Sequence, residues 1–119
     1  MSSYVHVVKA PAPYTLEELA RMARAPLEAL GAERAVAFGS YARGEADGFS
    51  DLDLVVVMET ERPRAERAAH LAPLLRALPL TVNLFVYTPA EYAGGMIRRL
   101  GIFDALARDG VEVYARPPR

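Results

Sequence analysis

Two aspartates separated by a single residue, Asp51 and Asp53, stand at the head of a valine-rich run, Asp51-Leu52-Asp53-Leu54-Val55-Val56-Val57. Side chains alternate along a strand, so the two carboxylates share one face while Leu52, Leu54 and Val56 share the other. Their attachment points then lie about 6.6 Å apart, close enough to converge on one or two divalent ions. Hard oxygen donors of this kind suit magnesium or manganese. Aspartate is a poor strand former and like charges on one face repel, a conflict that a bound cation would relieve. Taken alone, the pair also reads as a solvated strand edge.

A second signal precedes it. Phe38-Gly39-Ser40-Tyr41-Ala42-Arg43-Gly44 puts a glycine directly after an apolar run. Glycine there lets the backbone approach a ligand closely, and a following helical turn presents unpaired amides to phosphate. Ser40 adds a hydroxyl donor. Glycine after a strand is by itself usually only a turn. A Gly-Ser pair, ten residues and then Asp-x-Asp is rarer: average composition gives it by chance in about one chain in a thousand of this length.

These residues need a scaffold. Thr15-Leu16-Glu17-Glu18 has the form of a capping box, and Leu16, Leu19, Ala20 and Ala23 follow the helical period to a stop at Gly31. Pro26 is expected to kink or split that helix. Arg34 to Phe38 reads as a strand, Tyr41 to Glu45 as a helical turn, and Ala46 to Ser50 as a loop before the strand Asp51 to Met58. Pro63 to Leu78 is helical with a bend expected at Pro73, and Leu80 to Tyr87 is a strand. Thr88-Pro89-Ala90-Glu91 is a second capping box. Gly94-Gly95 should weaken the helix after it, making two pieces of residues 89 to 109, closed by Gly110 before a last strand, Val111 to Tyr114. Tyr4 to Val8 is an edge strand or an ordered tail. The alternation implies a mixed sheet covered by helices, an α/β (α+β) chain.

The 119 residues correspond to one domain, with a core over about 15–115 and a frayed tail at 116–119. An apolar share of 52% supports a real core. A formal net charge of −1 argues against broad binding to nucleic acid, which calls for a basic face. There is no cysteine, hence no disulfide framework or thiolate metal site. With no apolar run of membrane-spanning length and no secretory leader pattern, the expectation is a soluble, cytoplasmic protein. His6 and His70 have no partner at metal-ligand spacing and read as surface or packing residues. Tyr87, Tyr92 and Phe103 could stack a base, but core packing is the default.

The segment Gly39 to Val57 resembles the minimal nucleotidyltransferases of the DNA polymerase β superfamily, and the resemblance extends over roughly residues 15 to 115. It implies the nucleotidyltransferase fold. It also implies that Gly39 and Ser40 contact the triphosphate of ATP or another nucleotide, and that Asp51 and Asp53 are catalytic ligands to Mg²⁺ or Mn²⁺. Arg43 falls on the family's arginine; it either touches phosphate or pairs with Asp47 or Glu45 to hold the loop. The pattern breaks at Asn83, where the family places a third carboxylate that binds metal and draws the proton from the attacking hydroxyl. An amide cannot accept that proton at neutral pH. Neither Glu59 nor Glu91 is a convincing substitute: Glu59 lies far along the strand and Glu91 is committed to its cap. Asn83 is thus expected either as a buried amide bridging the aspartates or as a residue that keeps one metal and the nucleotide while chemistry is slow or absent. The resemblance implies transfer of a nucleoside monophosphate, with AMP the expected one, to a protein or small-molecule acceptor; small family members commonly act with a helical partner of the HEPN type, as antitoxins that modify a tyrosine on it. The resemblance therefore implies such a partner or a homodimer. A pseudoenzyme that only binds nucleotide and partner is the alternative.

Overall fold

The computed structural model describes residues 10–118, so the expected strand at Tyr4 to Val8 lies outside the described residues. The element order is α1 (Leu16–Leu30), β1 (Arg34–Phe38), α2 (Ser40–Arg43), β2 (Leu52–Val57), α3 (Arg64–His70), α4 (Ala72–Ala77), β3 (Val82–Tyr87), α5 (Pro89–Arg98), α6 (Ile102–Asp109) and β4 (Val111–Ala115). The strands form one sheet in the order β3-β2-β1-β4. The β2–β3 pair is parallel, and the β1–β2 and β1–β4 pairs are antiparallel. The sheet is mixed, as the sequence implies.

Alternation along the strands builds two cores. Leu52, Leu54 and Val56 join Leu19, Leu27, Leu71 and Leu74 on one side. Val55 and Val57 join Val36, Phe38 and Leu106 on the other. Both central valines of β2, Val55 and Val56, are fully buried. Each fully buried Leu or Val contributes about 1.5–3 kcal/mol, so the sheet is secured from both faces.

Helix α1 begins as read. The Thr15 hydroxyl accepts from the Glu18 amide at 3.1 Å, and the Glu18 carboxylate accepts from the Thr15 amide at 2.9 Å. It ends at Gly31, which has a left-handed φ of 78°. Pro26 does not split it: the helix runs unbroken from Leu16 to Leu30. The lost amide costs one internal bond, whereas Leu19, Ala23 and Leu27 hold the helix to the sheet on both sides of the proline. Between Pro63 and Leu78 the chain makes two helices rather than one bent one, parting at Leu71 just ahead of Pro73.

The stretch 89–109 is also two helices, but the break is not at the glycines. Gly94 and Gly95 lie inside α5, and the chain turns at Arg99 and Gly101, with φ of 52° and 60°. A Cβ on Gly95 would overlap the Phe103 ring, so this glycine is the seat on which α6 rests. That ring also packs against Tyr87 and Tyr92, with centroids 5.0 and 6.3 Å away. These aromatics serve packing, as the default reading has it. Beyond β4, the Arg116 amide donates to the Glu33 carbonyl at 2.8 Å.

One buried charge pins the far end of the sheet. Arg67, 8% exposed, donates to the carbonyls of Arg62 and Val86 and to the Glu91 carboxylate at 2.6 Å. Glu91 also accepts from the Thr88 amide, completing the second capping box. Hydrogen bonds from Arg67 first, then from the Thr88 backbone, hold the Glu91 carboxyl down to about 2. A depressed carboxyl stabilises the fold above its ordinary value of 4.5 and loses that contribution as pH falls towards about 2.

Two outcomes are expected. Denaturant melts at pH 6 and pH 3 should show Glu91→Gln less stable than the natural protein at pH 6, with the gap narrowing at pH 3. Gly95→Ala should lower stability by about 1–3 kcal/mol in the same assay, because the added methyl must displace Phe103.

Candidate functional site

The candidate residues gather where β1 and β2 meet. Phe38 pairs with Asp53 across the β1–β2 ladder, and Asp53 pairs with Asn83 across β2–β3. Paired residues share a face, so Asp53 and Asn83 lie on the α5–α6 side of the sheet, continuing the row of Val55 and Phe85 beyond the packed core. Asp53 is half-buried and Asn83 is exposed. Asp51 precedes the first residue of β2 and is exposed. It therefore stands at the mouth of the site rather than on the ladder. The adjoining amide of Leu52 is held by the Thr81 carbonyl at 3.0 Å.

Gly39 follows Phe38 with φ 77° and ψ −153°, a backbone conformation open to glycine and strained for other residues. A Cβ there would collide with the Asp53 carboxylate. The turn and the acid are thus packed against each other with no room for a side chain. Ser40 opens α2, whose first amides have no carbonyl one turn earlier to bond. Gly44 closes the turn with φ 74°. The loop before Asp51 is tied by Asp47, whose carboxylate accepts from the Phe49 amide at 2.9 Å, while the Asp47 amide donates to the Ser50 hydroxyl at 2.9 Å.

Arg43 pairs with Glu45, its Nε donating to the carboxylate at 2.7 Å, and not with Asp47. Its Nη1 lies 3.8 Å from Asp109 at the end of α6. The hydrogen bond to Glu45 is the main cause of its raised pKa, opposed by desolvation; the charges of Glu45, Asp109 and Asp53 act in the same direction as the bond. Arg43 is therefore within Coulombic reach of Asp53. No sequence pattern points to Asp109, because only the fold brings the end of α6 to this turn.

The Asn83 side chain donates from Nδ2 to Asp53 Oδ1 at 2.8 Å. The partner is one of the two aspartates the sequence suggests, but the amide is exposed rather than buried, and it engages Asp53 without a bond to Asp51. Among the described residues, no three His, Cys, Asp or Glu side chains come together as a metal cluster. The available donors are the carboxylates of Asp51 and Asp53 and the Asn83 amide oxygen. They fit a single hard cation that takes its remaining ligands from phosphate and water.

Residues 19–101 match the family model for the nucleotidyltransferase domain. The chain belongs to that family. This nucleotidyltransferase domain is also similar to solved structures. One is described as a minimal nucleotidyltransferase, with a TM-score of 0.57 and 29% identity over 84% of this chain and 97% of that one. Another, from Sulfolobus solfataricus and described as a nucleotidyltransferase, shares the fold at a TM-score of 0.55 and 21% identity, covering 85% of this chain and 84% of its own. No match was found among the curated proteins. The matched span includes both the Gly39-Ser40 turn and the Asp51–Asp53 pair.

Gly39→Ala should cost the nucleotidyltransferase domain about 1–3 kcal/mol, from the left-handed φ and from the collision with Asp53. In a double-mutant cycle read by thermal or denaturant melting, Asp53→Ala should recover the collision part only. Purely additive losses would show that the two residues do not touch.

Proposed function

We propose that this nucleotidyltransferase domain binds a nucleoside triphosphate, preferentially ATP, with Mg²⁺ or Mn²⁺, and transfers the nucleoside monophosphate to an acceptor. The observation that carries this reading is the contact between the side-chain-free turn at Gly39 and the Asp53 carboxylate. This contact supports the reading of the turn as a phosphate cradle with Asp53 beside it as a cation ligand. In this reading Gly39 admits the triphosphate to backbone contact, while Ser40 and the first amides of α2 hold its oxygens. Arg43 exchanges part of its pairing with Glu45 for the phosphate. Asp51 and Asp53 carry the divalent cation, which when bound neutralises the triphosphate and polarises the phosphorus under attack. The acceptor is a protein or a small molecule. A helical protein of the HEPN type, in a toxin–antitoxin pair, is the acceptor that the family resemblance favours.

A second reading has its own observation. The Asn83 bond to Asp53 Oδ1 occupies a lone pair that a second cation would need, and an amide offers no proton acceptor to the incoming hydroxyl. On that reading the domain binds nucleotide and partner but turns over slowly or not at all.

Calorimetry separates the possibilities. The natural protein should bind ATP only with magnesium present, and Asp51→Asn combined with Asp53→Asn should weaken binding at least about tenfold, the scale of losing direct ligands. Asn83→Asp should tighten it. If the natural protein transfers label from α-labelled ATP to the product of its neighbouring gene, it is an enzyme; Asn83→Asp should then raise the rate by about 10² to 10⁴. Binding without transfer would leave the pseudoenzyme. Labelling that survives both aspartate substitutions would remove the site assignment.

A further inference from the structure

Strand β4 lies at one margin of the sheet and pairs only with β1 among the described residues. An open edge invites a partner strand unless something covers it. Along this edge two depressions run end to end between α1 and β4. One, about 370 Å³, is lined by Leu16, Glu17, Ala20, Ala42, Val111 and Glu112, together with Val113. The next, about 290 Å³, continues past Ala20 and Val113 to Arg21, Arg24, Tyr114 and Ala115. Ala20 and Val113 belong to both, so the two form one groove. The β1–β4 ladder shifts register between Ala35 and Val36, whose partners are Tyr114 and Glu112. Val113 is therefore the extra residue of a bulge, and it lines the whole length of the groove. The bulge shortens any regular ladder across this edge, so side chains in the groove, more than backbone pairing, must hold an occupant.

Charged residues rim the groove: Glu17 and Glu112 near the start of α1, and Arg21, Arg24 and Glu28 further along. Several of them are satisfied within the chain: Glu112 by Arg34 at 3.7 Å, Arg24 by Glu28 at 3.3 Å. Glu17 and Arg21 enter no ion pair among the described residues, and both are exposed. One acid and one base a helical turn apart, flanking a small residue on an apolar floor, form a self-complementary pattern. A two-fold axis near Ala20 would set each copy's Glu17 against the other's Arg21, as an isologous interface requires.

We infer that the α1–β4 groove is an interface between two copies of this chain. The two α1 helices cross antiparallel at Ala20, Glu17 of each copy meets Arg21 of the other, and Val111 and Val113 are covered. This surface meets the candidate nucleotide site only at Ala42 in the α2 turn, and substitutions at Glu17 and Arg21 leave that turn unchanged, so the two can be tested separately.

The test is sedimentation equilibrium on the full chain from about 1 to 200 µM, with thermal melts to verify folding. The natural protein should weigh twice 13.0 kDa at the upper concentrations. Glu17→Arg alone sets like charges opposite each other at two symmetric places, and so does Arg21→Glu; each should weaken the dimer about tenfold or more. Mixing the two variants restores opposite charges at both places, so a heterodimer should form at least as readily as the natural homodimer. A natural protein that stays monomeric throughout would overturn the inference. So would a dimer that neither substitution affects, or two weakened variants that fail to rescue each other on mixing.

Discussion

Everything in this domain is arranged around the burial of β2 on both faces. Val55 and Val56 have no exposed surface, one turned to each core, which confines polar chemistry to the end of the strand where the cover stops. Asp53 sits at that boundary, half-buried, with a neighbour on each side: Phe38 in β1 and Asn83 in β3. A charged residue one pair further in would lie under the α5–α6 cover without water. The position of the acid is thus a consequence of where the apolar cover ends.

That constraint propagates outward. The chain leaving β1 must clear the Asp53 carboxylate, and only glycine does so at Gly39. The turn into α2 then fixes Arg43, whose pairing with Glu45 and Asp109 ties the site to the end of α6. At the opposite end of the sheet, Arg67 and Glu91 perform the equivalent fastening between α3, β3 and α5. One end is held by a partly buried ion pair, and the other, where the candidate site lies, is left charged. The asymmetry keeps the fastening and the candidate site at opposite ends of a single sheet.

Most of the elements were legible in the sequence because their signals are local. Both capping boxes, the glycine after α1 and the valine run of β2 depend on residues within a few positions of one another. The breaks between helices were harder to place. Gly94-Gly95 carries a helix-breaking signal, yet the turn falls at Arg99 to Gly101, because Gly95 is required by Phe103 rather than by the backbone. Pro26 likewise gives way to the burial of Leu19 and Leu27 on either side of it. At the candidate site the sequence pairs Asn83 with the aspartates, and the parallel register brings it to Asp53; its exposure depends on the extent of α5–α6. The approach of Asp109 to Arg43 has no local signature at all.

The α5–α6 hairpin is joined to itself mainly by contacts close in sequence, with Phe103 seated on Gly95 and Tyr92 beside it. It is also fastened at both ends, through Glu91 to Arg67 and through Asp109 towards Arg43. Its lower surface is also what keeps water from Val55 and Val57. The most deeply buried strand is therefore shielded on one side by a single hairpin, so the dryness of β2 rests on two ion pairs distant from it in sequence.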